Sequence, residues 1–94
     1  MYLLNAFSLQ MLGAFPAKVS ITEVDRPEDL NALQSAIGHA DTAKVLGVAM
    51  ARVNVVLNHG DRAVVCQLQG GRLPEGSTIL PEGFSFRWLL IEVE

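Results

Sequence analysis

A histidine at a turn is the first residue in this sequence that could do chemistry. His39 follows Gly38, and Asp41 and Thr42 then fall where the first turn of a helix is expected. Acidic and hydroxyl side chains satisfy free N–H groups at a helix start, and Gly38 permits a bend that a Cβ would resist. The pattern predicts an imidazole at the positive end of a helix, which can bind a phosphate or another anion. The alternative is a histidine that only caps the helix or packs against it.

An arginine and a glutamate stand close together in a glycine-bounded loop. Gly70 and Gly71 precede Arg72, and Gly76 follows Glu75. Glycine hinges on both sides are typical of loops that close over a ligand. The alternative is an exposed turn in which the two charged side chains form a weak surface ion pair.

These three side chains suit a metal-free reaction on an RNA phosphodiester. The neighbouring 2′-hydroxyl is the nucleophile in such a reaction, and the protein has to align it with the leaving 5′-oxygen. Arg72 can stabilise the extra negative charge on phosphorus, and a cationic His39 can protonate the leaving oxygen. Glu75 can orient Arg72 or assist the 2′-hydroxyl. The sequence shows no metal-ligand spacing, no Gly-rich phosphate loop and no Ser-His-Asp set, so we expect no metal and no cofactor.

Composition restricts the partners and the location. The chain has 94 residues and a net charge of −3, and its seven Lys and Arg are scattered singly, which argues against duplex DNA as a partner. Half of the residues are hydrophobic, which predicts a rich core and an apolar surface buried in an oligomer. No apolar run approaches the roughly 20 residues that span a bilayer, and the N-terminus lacks the basic region of a signal peptide. Cys66, in an apolar run, predicts a buried thiol in a reducing cytoplasm.

The hydrophobic pattern predicts a single α/β domain. Residues 2–4 read as a central strand and residues 17–24 as a half-buried strand. Residues 52–57 and 62–69 are expected to pair as a hairpin, and residues 84–93 form the last strand.

Two helices are expected to accompany these strands. The first begins at residues 25–27, with Pro27 at its first position, and ends near Ser35. The second follows His39, and Gly47 weakens or ends it.

Three polar side chains follow the first predicted strand. Asn5, Ser8 and Gln10 alternate with apolar residues there, and polar groups at the end of a central strand are well placed to touch a ligand. The alternative is that Asn5 and Ser8 satisfy the backbone of a turn.

Three segments, taken together, resemble the viral ring nuclease family, the type III anti-CRISPR proteins of archaeal viruses and phages. They are YLLNAFSLQML at 2–12, SAIGH at 35–39 with Thr42, and RLPEG at 72–76. The resemblance runs nearly end to end. It implies one ring-nuclease-like domain over residues 1–94, with a mixed sheet of about five strands and helices mainly on one face. It also implies a twofold homodimer with a cavity across its interface.

The same resemblance implies an activity and a set of site residues. Members of the family bind cyclic tetra-adenylate, a messenger made by type III CRISPR complexes. They cut it without metal to linear di-adenylate with a 2′,3′-cyclic phosphate, which stops the signal. The family's catalytic residues match His39, Arg72 and Glu75. The expected substrate-binding residues are Asn5, Ser8, Gln10, Gly38 and Arg52, of which Ser8 and Arg52 match ligand-contacting positions of the family.

The sequence departs from the family between its lid and its last strand. The lid corresponds to residues 69–80, and the family usually has a helix after it. Here Pro81 and Gly83 stand in that place and predict no more than a turn.

Three hypotheses follow from the sequence. The first is a ring nuclease, the second a protein that holds cyclic oligoadenylate without cutting it, and the third a small dimeric protein-interaction domain. In a twofold dimer, two copies of His39, Arg52 and Arg72 would focus positive charge on one ligand in spite of the acidic chain.

Overall fold

A mixed five-stranded sheet forms the centre of the computed structural model, which describes residues 1–94. The strands are β1 (Tyr2–Leu4), β2 (Val19–Val24), β3 (Gln34–Ala36), β4 (Arg62–Gln69) and β5 (Ser85–Val93). Their order across the sheet is β2-β5-β4-β1-β3. β1 runs parallel to β3 and β4, and β5 runs antiparallel to β2 and β4. This confirms the predicted α/β sheet of about five strands.

One α-helix and two 3₁₀ helices accompany the sheet. Helix α1 spans Ala40–Leu46, and the 3₁₀ helices span Leu9–Met11 and Leu30–Ala32. α1 ends at Gly47, whose φ of +74° is the left-handed conformation that favours glycine at a helix end. No helix is long and apolar enough to cross a membrane.

Each face of the sheet carries its own hydrophobic cluster, because successive side chains of a strand point to opposite faces. Leu3 is packed among residues of α1 and the second 3₁₀ helix, whereas Leu4 is packed among residues of the coil segments around Leu12 and Leu57. Both β1 leucines are almost completely buried, as expected for an inner strand. Helices therefore lie mainly on one face, as predicted.

The predicted hairpin is wrong, because residues 52–57 form no strand. β4 pairs over its full length with β5 on one side and, through residues 63–65, with β1 on the other, so the edge that a hairpin partner would need is already taken. Val55 and Leu57 are buried against the second face of the sheet, which explains the apolar alternation. Leu57 donates to the Met11 carbonyl at 2.7 Å instead.

The predicted helix after residues 25–27 is also wrong. Asp29 caps a single 3₁₀ turn, accepting from the Asn31 N–H at 3.0 Å. Ser35 then lies in β3 and pairs with Leu3. The helix cannot extend to Ser35 because residues 34–36 form β3, which pairs with the outer edge of β1.

Candidate active site around His39

His39 is the N-cap of α1, as the sequence indicated. Its Nδ1 accepts from the Thr42 backbone N–H at 3.4 Å and lies 3.3 Å from the Thr42 hydroxyl. A backbone N–H can only donate, so Nδ1 must be the unprotonated nitrogen in this arrangement. The neutral ring therefore carries its hydrogen on Nε2, which is the nitrogen left for a substrate.

The N-terminus of α1 is a weaker anion-binding site than the sequence suggested. α1 has only seven residues, and His39 already occupies the Thr42 N–H. The Asp41 carboxylate stands in the same first turn and would repel a phosphate. Positive charge for an anionic ligand must therefore come from arginine side chains.

The peptide that precedes His39 is held from two sides. The Asn5 Oδ1 accepts from the Gly38 N–H at 3.4 Å, and the Arg52 Nε donates to the Gly38 carbonyl at 2.9 Å. Asn5 and Arg52, predicted as ligand contacts, thus also position the backbone of the site. The two terminal amino groups of Arg52 make no bond within the chain and stay available.

Gly38 is needed for a different reason from the one predicted. Its φ is not positive, so it makes no turn that only glycine can adopt. A Cβ at this position would lie 3.3 Å from the Arg52 Cγ. The missing side chain therefore allows the Arg52 stem to approach closely, which its bond to the Gly38 carbonyl requires.

His39 and Arg72 line one cavity of about 190 Å³. Its other walls are Asn5, Thr42, Cys66, Leu68 and Leu73. Leu73 is only 4 % exposed, and its burial anchors the start of the loop. The neighbouring Arg72 is exposed. The structure thus brings together two of the three predicted catalytic residues. The wall residues of β4 were missed, although its apolar run could have indicated them.

Glu75 lies outside that cavity. It is exposed in a turn closed by a 3.2 Å bond from the Ser77 N–H to the Pro74 carbonyl. The ion pairs of the structure involve neither Glu75 nor Arg72, so the alternative of a surface pair is not formed. Beyond the loop, only a turn precedes β5, where Phe84 donates to the Pro81 carbonyl at 3.1 Å. The predicted absence of a helix there is confirmed.

Ser8 and Gln10 lie on a separate cavity of about 400 Å³, formed with Met11 and residues 53–56. The Ser8 hydroxyl accepts from the Gln10 N–H at 3.3 Å, so Ser8 caps the first 3₁₀ helix. This is the backbone role that the sequence left open as an alternative. Within one protomer, the structure does not bring these two residues to His39.

Cys66 is the one thiol at the site, and it is almost completely buried. Burial raises its pKa from 9.0 to about 12, against the opposing effect of the nearby Arg26 charge. The protonated thiol is a poor nucleophile and a poor metal ligand. No three His, Cys, Asp or Glu side chains come together as a metal site would require.

Comparisons with known proteins agree with the fold. A family model described as STIV B116-like matches residues 1–85. A solved structure of B116 of Sulfolobus turreted icosahedral virus superposes with a TM-score of 0.77 at 28 % identity, and the match covers 97 % of each chain. No curated protein matches this sequence. The family match includes the positions of His39, Arg72 and Glu75.

Proposed function

This chain belongs to the STIV B116-like family, and on that premise we propose that it is a metal-independent ring nuclease that cuts cyclic tetra-adenylate. A 2′-hydroxyl of the ring attacks the adjacent phosphorus, a 2′-O–P bond forms and the P–O5′ bond breaks. Two such cuts give two linear di-adenylates ending in a 2′,3′-cyclic phosphate. The resemblance to viral ring nucleases supports the substrate. The observation that carries the proposal is the shared cavity of His39 and Arg72.

His39 and Arg72 take different parts of this reaction. Cationic His39 protonates the leaving 5′-oxygen through Nε2. In this form Nδ1 also carries a hydrogen, so it gives up the bond from the Thr42 N–H and donates to the Thr42 hydroxyl instead. A positioned general acid contributes about 10²–10⁴-fold to the rate. Arg72 makes no ion pair within the chain, so its guanidinium is free to stabilise the charge that develops on the phosphoryl oxygens.

Glu75 is proposed to receive the 2′-hydroxyl proton or to orient Arg72. It is exposed and outside the cavity, so either role requires the loop to tighten around a bound ring. Catalytic contacts in ligand-free structures are often long and shorten only in the substrate complex.

The proposed assembly is a twofold homodimer in the host cytoplasm. Eight large apolar side chains are exposed, among them Phe15, Ile21 and Val56, and an oligomer interface would cover such surface. Ser8 and Gln10 stand on a separate cavity, so their predicted contact with substrate requires that the dimer present both cavities to one ring.

The test is an incubation of the purified protein with cyclic tetra-adenylate in EDTA, followed by mass spectrometry. We expect linear di-adenylate cyclic phosphate from the wild type and none from His39→Ala. His59→Ala is the matched control, because His59 is exposed in another turn and its Nδ1 contacts only the Glu94 carbonyl, at 2.7 Å. Glu75→Ala, with Glu82→Ala as its control in the same loop, tests the carboxylate. Analytical ultracentrifugation gives the oligomeric state.

Two results would redirect the proposal. An intact ring that co-elutes with the wild-type protein would indicate a protein that sequesters the messenger. An intact ring without binding would leave the protein-interaction hypothesis. Equal loss of activity in His39→Ala and His59→Ala would show that the effect lies in folding and not in acid catalysis.

A further inference from the structure

The loop that carries Arg72 and Glu75 is closed tightly at its root. β4 and β5 pair up to Gln69 and Ser85, and residues 70–84 connect them. Gly70 has a φ of +114°, and a Cβ there would lie 2.7 Å from the Gly83 carbonyl oxygen. The two ends of the loop thus touch, and the position of its middle depends on contacts beyond the root.

Two contacts hold the middle of this loop. Leu73 is buried in the wall of the His39 cavity. Further along, the Gly76 N–H donates to the Asp41 Oδ1 at 3.2 Å. The Asp41 carboxylate forms no ion pair, so this bond is the only hydrogen bond of its side chain. Arg72 and Glu75 lie between the root of the loop and this bond.

We infer that Asp41 is a positioning residue that fixes this loop against the first turn of α1. His39 caps the helix that holds Asp41. The Asp41 carboxylate therefore connects α1, which His39 caps, to the loop that carries Arg72 and Glu75. The consequence for cleavage rests on the proposed function, whereas the contact and its effect on the loop do not.

Three substitutions separate this contact from the effect of a negative charge in a helix's first turn. Asp41→Asn removes the charge but keeps an Oδ1 acceptor in the same place. Asp41→Ala removes both the charge and the acceptor. Asp41→Glu keeps the charge but moves the acceptor by one methylene group. Asp25→Ala is the control, because Asp25 is exposed in coil and forms no ion pair.

Amide hydrogen exchange of Gly76 tests the contact without any substrate. For a hydrogen bond to a charged acceptor on the surface, we expect about tenfold faster exchange in Asp41→Ala. Asp41→Asn should stay within about threefold of the wild type, because a neutral acceptor keeps about half of the strength of the bond. Asp41→Glu should exchange faster although its helix charge is intact. Wild-type exchange in Asp41→Ala, or equal acceleration in the Ala and Asn variants, would overturn the inference.

Limited trypsin digestion gives a second readout of the loop. The bond after Arg72 is a cleavage site within the loop, and its cutting reports local opening. We expect Asp41→Ala to be cut there faster than wild type and Asp25→Ala to be cut at the wild-type rate. Equal rates in all three proteins would contradict a role for Asp41 in holding the loop.

Steady-state cleavage in EDTA tests the positioning role. We expect kcat to fall about tenfold in Asp41→Ala with KM within about threefold, because the groups acting in the transition state are displaced. Asp41→Asn should restore most of kcat. Faster Gly76 exchange with unchanged kcat would overturn the positioning role. A wild type that does not cleave would instead refute the proposed function, while the exchange result would still decide whether the contact holds the loop.

Discussion

Replacing His39 can separate two roles of one side chain: capping α1, which the structure shows, and acting as general acid, which we propose. Alanine removes both roles at once. Asparagine removes only the acid, because its Oδ1 occupies the place along the side chain that Nδ1 occupies in histidine. The backbone of His39, at φ −105° and ψ 118°, is the extended conformation in which asparagine is among the best N-caps.

The expected magnitudes follow from these two roles. Losing an N-cap costs about 1 kcal/mol, which lowers Tm by about 4–8 °C in a domain of this size. Losing a general acid costs about 10²–10⁴ in rate. His39→Ala should therefore show both losses, whereas His39→Asn should melt close to the wild-type temperature and lose only the rate.

Thermal unfolding by circular dichroism and single-turnover cleavage of cyclic tetra-adenylate measure the two effects on the same samples. An asparagine variant that cleaves within about threefold of the wild-type rate would refute acid catalysis by His39. Equal melting temperatures for the alanine and asparagine variants would show that the bond from the Thr42 N–H does not stabilise α1.

Three further predictions address the surroundings of the site. Gly70→Ala should destabilise the protein by about 1–3 kcal/mol more than Gly71→Ala in urea denaturation. Both positions have positive φ, but only at Gly70 would the added Cβ meet backbone atoms. Equal losses of stability would refute the close approach of the two loop ends. Burial raises the pKa of Cys66 from 9.0 to about 12, so between these pH values the folded state keeps a proton that the unfolded state loses. The free energy of unfolding should therefore fall by about 1.4 kcal/mol per pH unit between about pH 9 and about pH 12. Cys66→Ala should remove that slope in denaturation series at rising pH, and an unchanged slope would assign it to other groups. Arg52→Lys keeps the charge but loses the Nε donor to the Gly38 carbonyl. Cleavage should slow about tenfold, while the free energy of unfolding stays within about 0.5 kcal/mol of the wild type. An unchanged rate would show that only the charge of Arg52 matters for cleavage.

Local patterns sufficed for the elements whose environment is encoded along the chain. β1, β5 and α1 were predicted because apolar runs and caps mark them directly. Residues 52–57 were wrongly predicted to be a strand because their alternation reflects the burial of Val55 and Leu57. Pairing with β4 depends on the other strands of the sheet, and β4 pairs with β1 and β5 instead. β3 has three residues and no pattern of its own. Its identity depends on the exposed edge of β1, which only the folded sheet defines.

The candidate site also has a part that the sequence predicts and a part that only the fold defines. Residue types and spacing picked out His39, Arg72 and Glu75 as groups able to do chemistry. The contacts that hold them were not visible, because they join residues far apart in the chain. Asn5 and Gly38 are 33 positions apart, and Asp41 and Gly76 are 35 positions apart. Such contacts follow from the sheet order and from the path of the loop, not from any local pattern.

The cations of the chain provide an independent argument for an anionic ligand at this site. Lys18, Arg62 and Arg87 form ion pairs with glutamates, and Arg26 lies over the ring of Trp88 at 5.6 Å from its centroid. Lys44 lies in the last turn of α1, where a positive charge favours the helix. The remaining cations are Arg52 and Arg72, one bound to the peptide before His39 and the other in its cavity.

Two guanidinium groups without a carboxylate partner therefore lie near His39 in this acidic chain, together with the Asp41 carboxylate, which also forms no ion pair. In the proposed twofold dimer, two arginines from each of two protomers would give four guanidinium groups. A cyclic tetra-adenylate ring has four phosphates, so the free charge of the dimer would match the charge of the ligand. A ring with six phosphates would leave two of them without such a partner. We therefore expect weaker binding of cyclic hexa-adenylate than of cyclic tetra-adenylate in isothermal titration with His39→Asn, and equal affinities would contradict this charge matching.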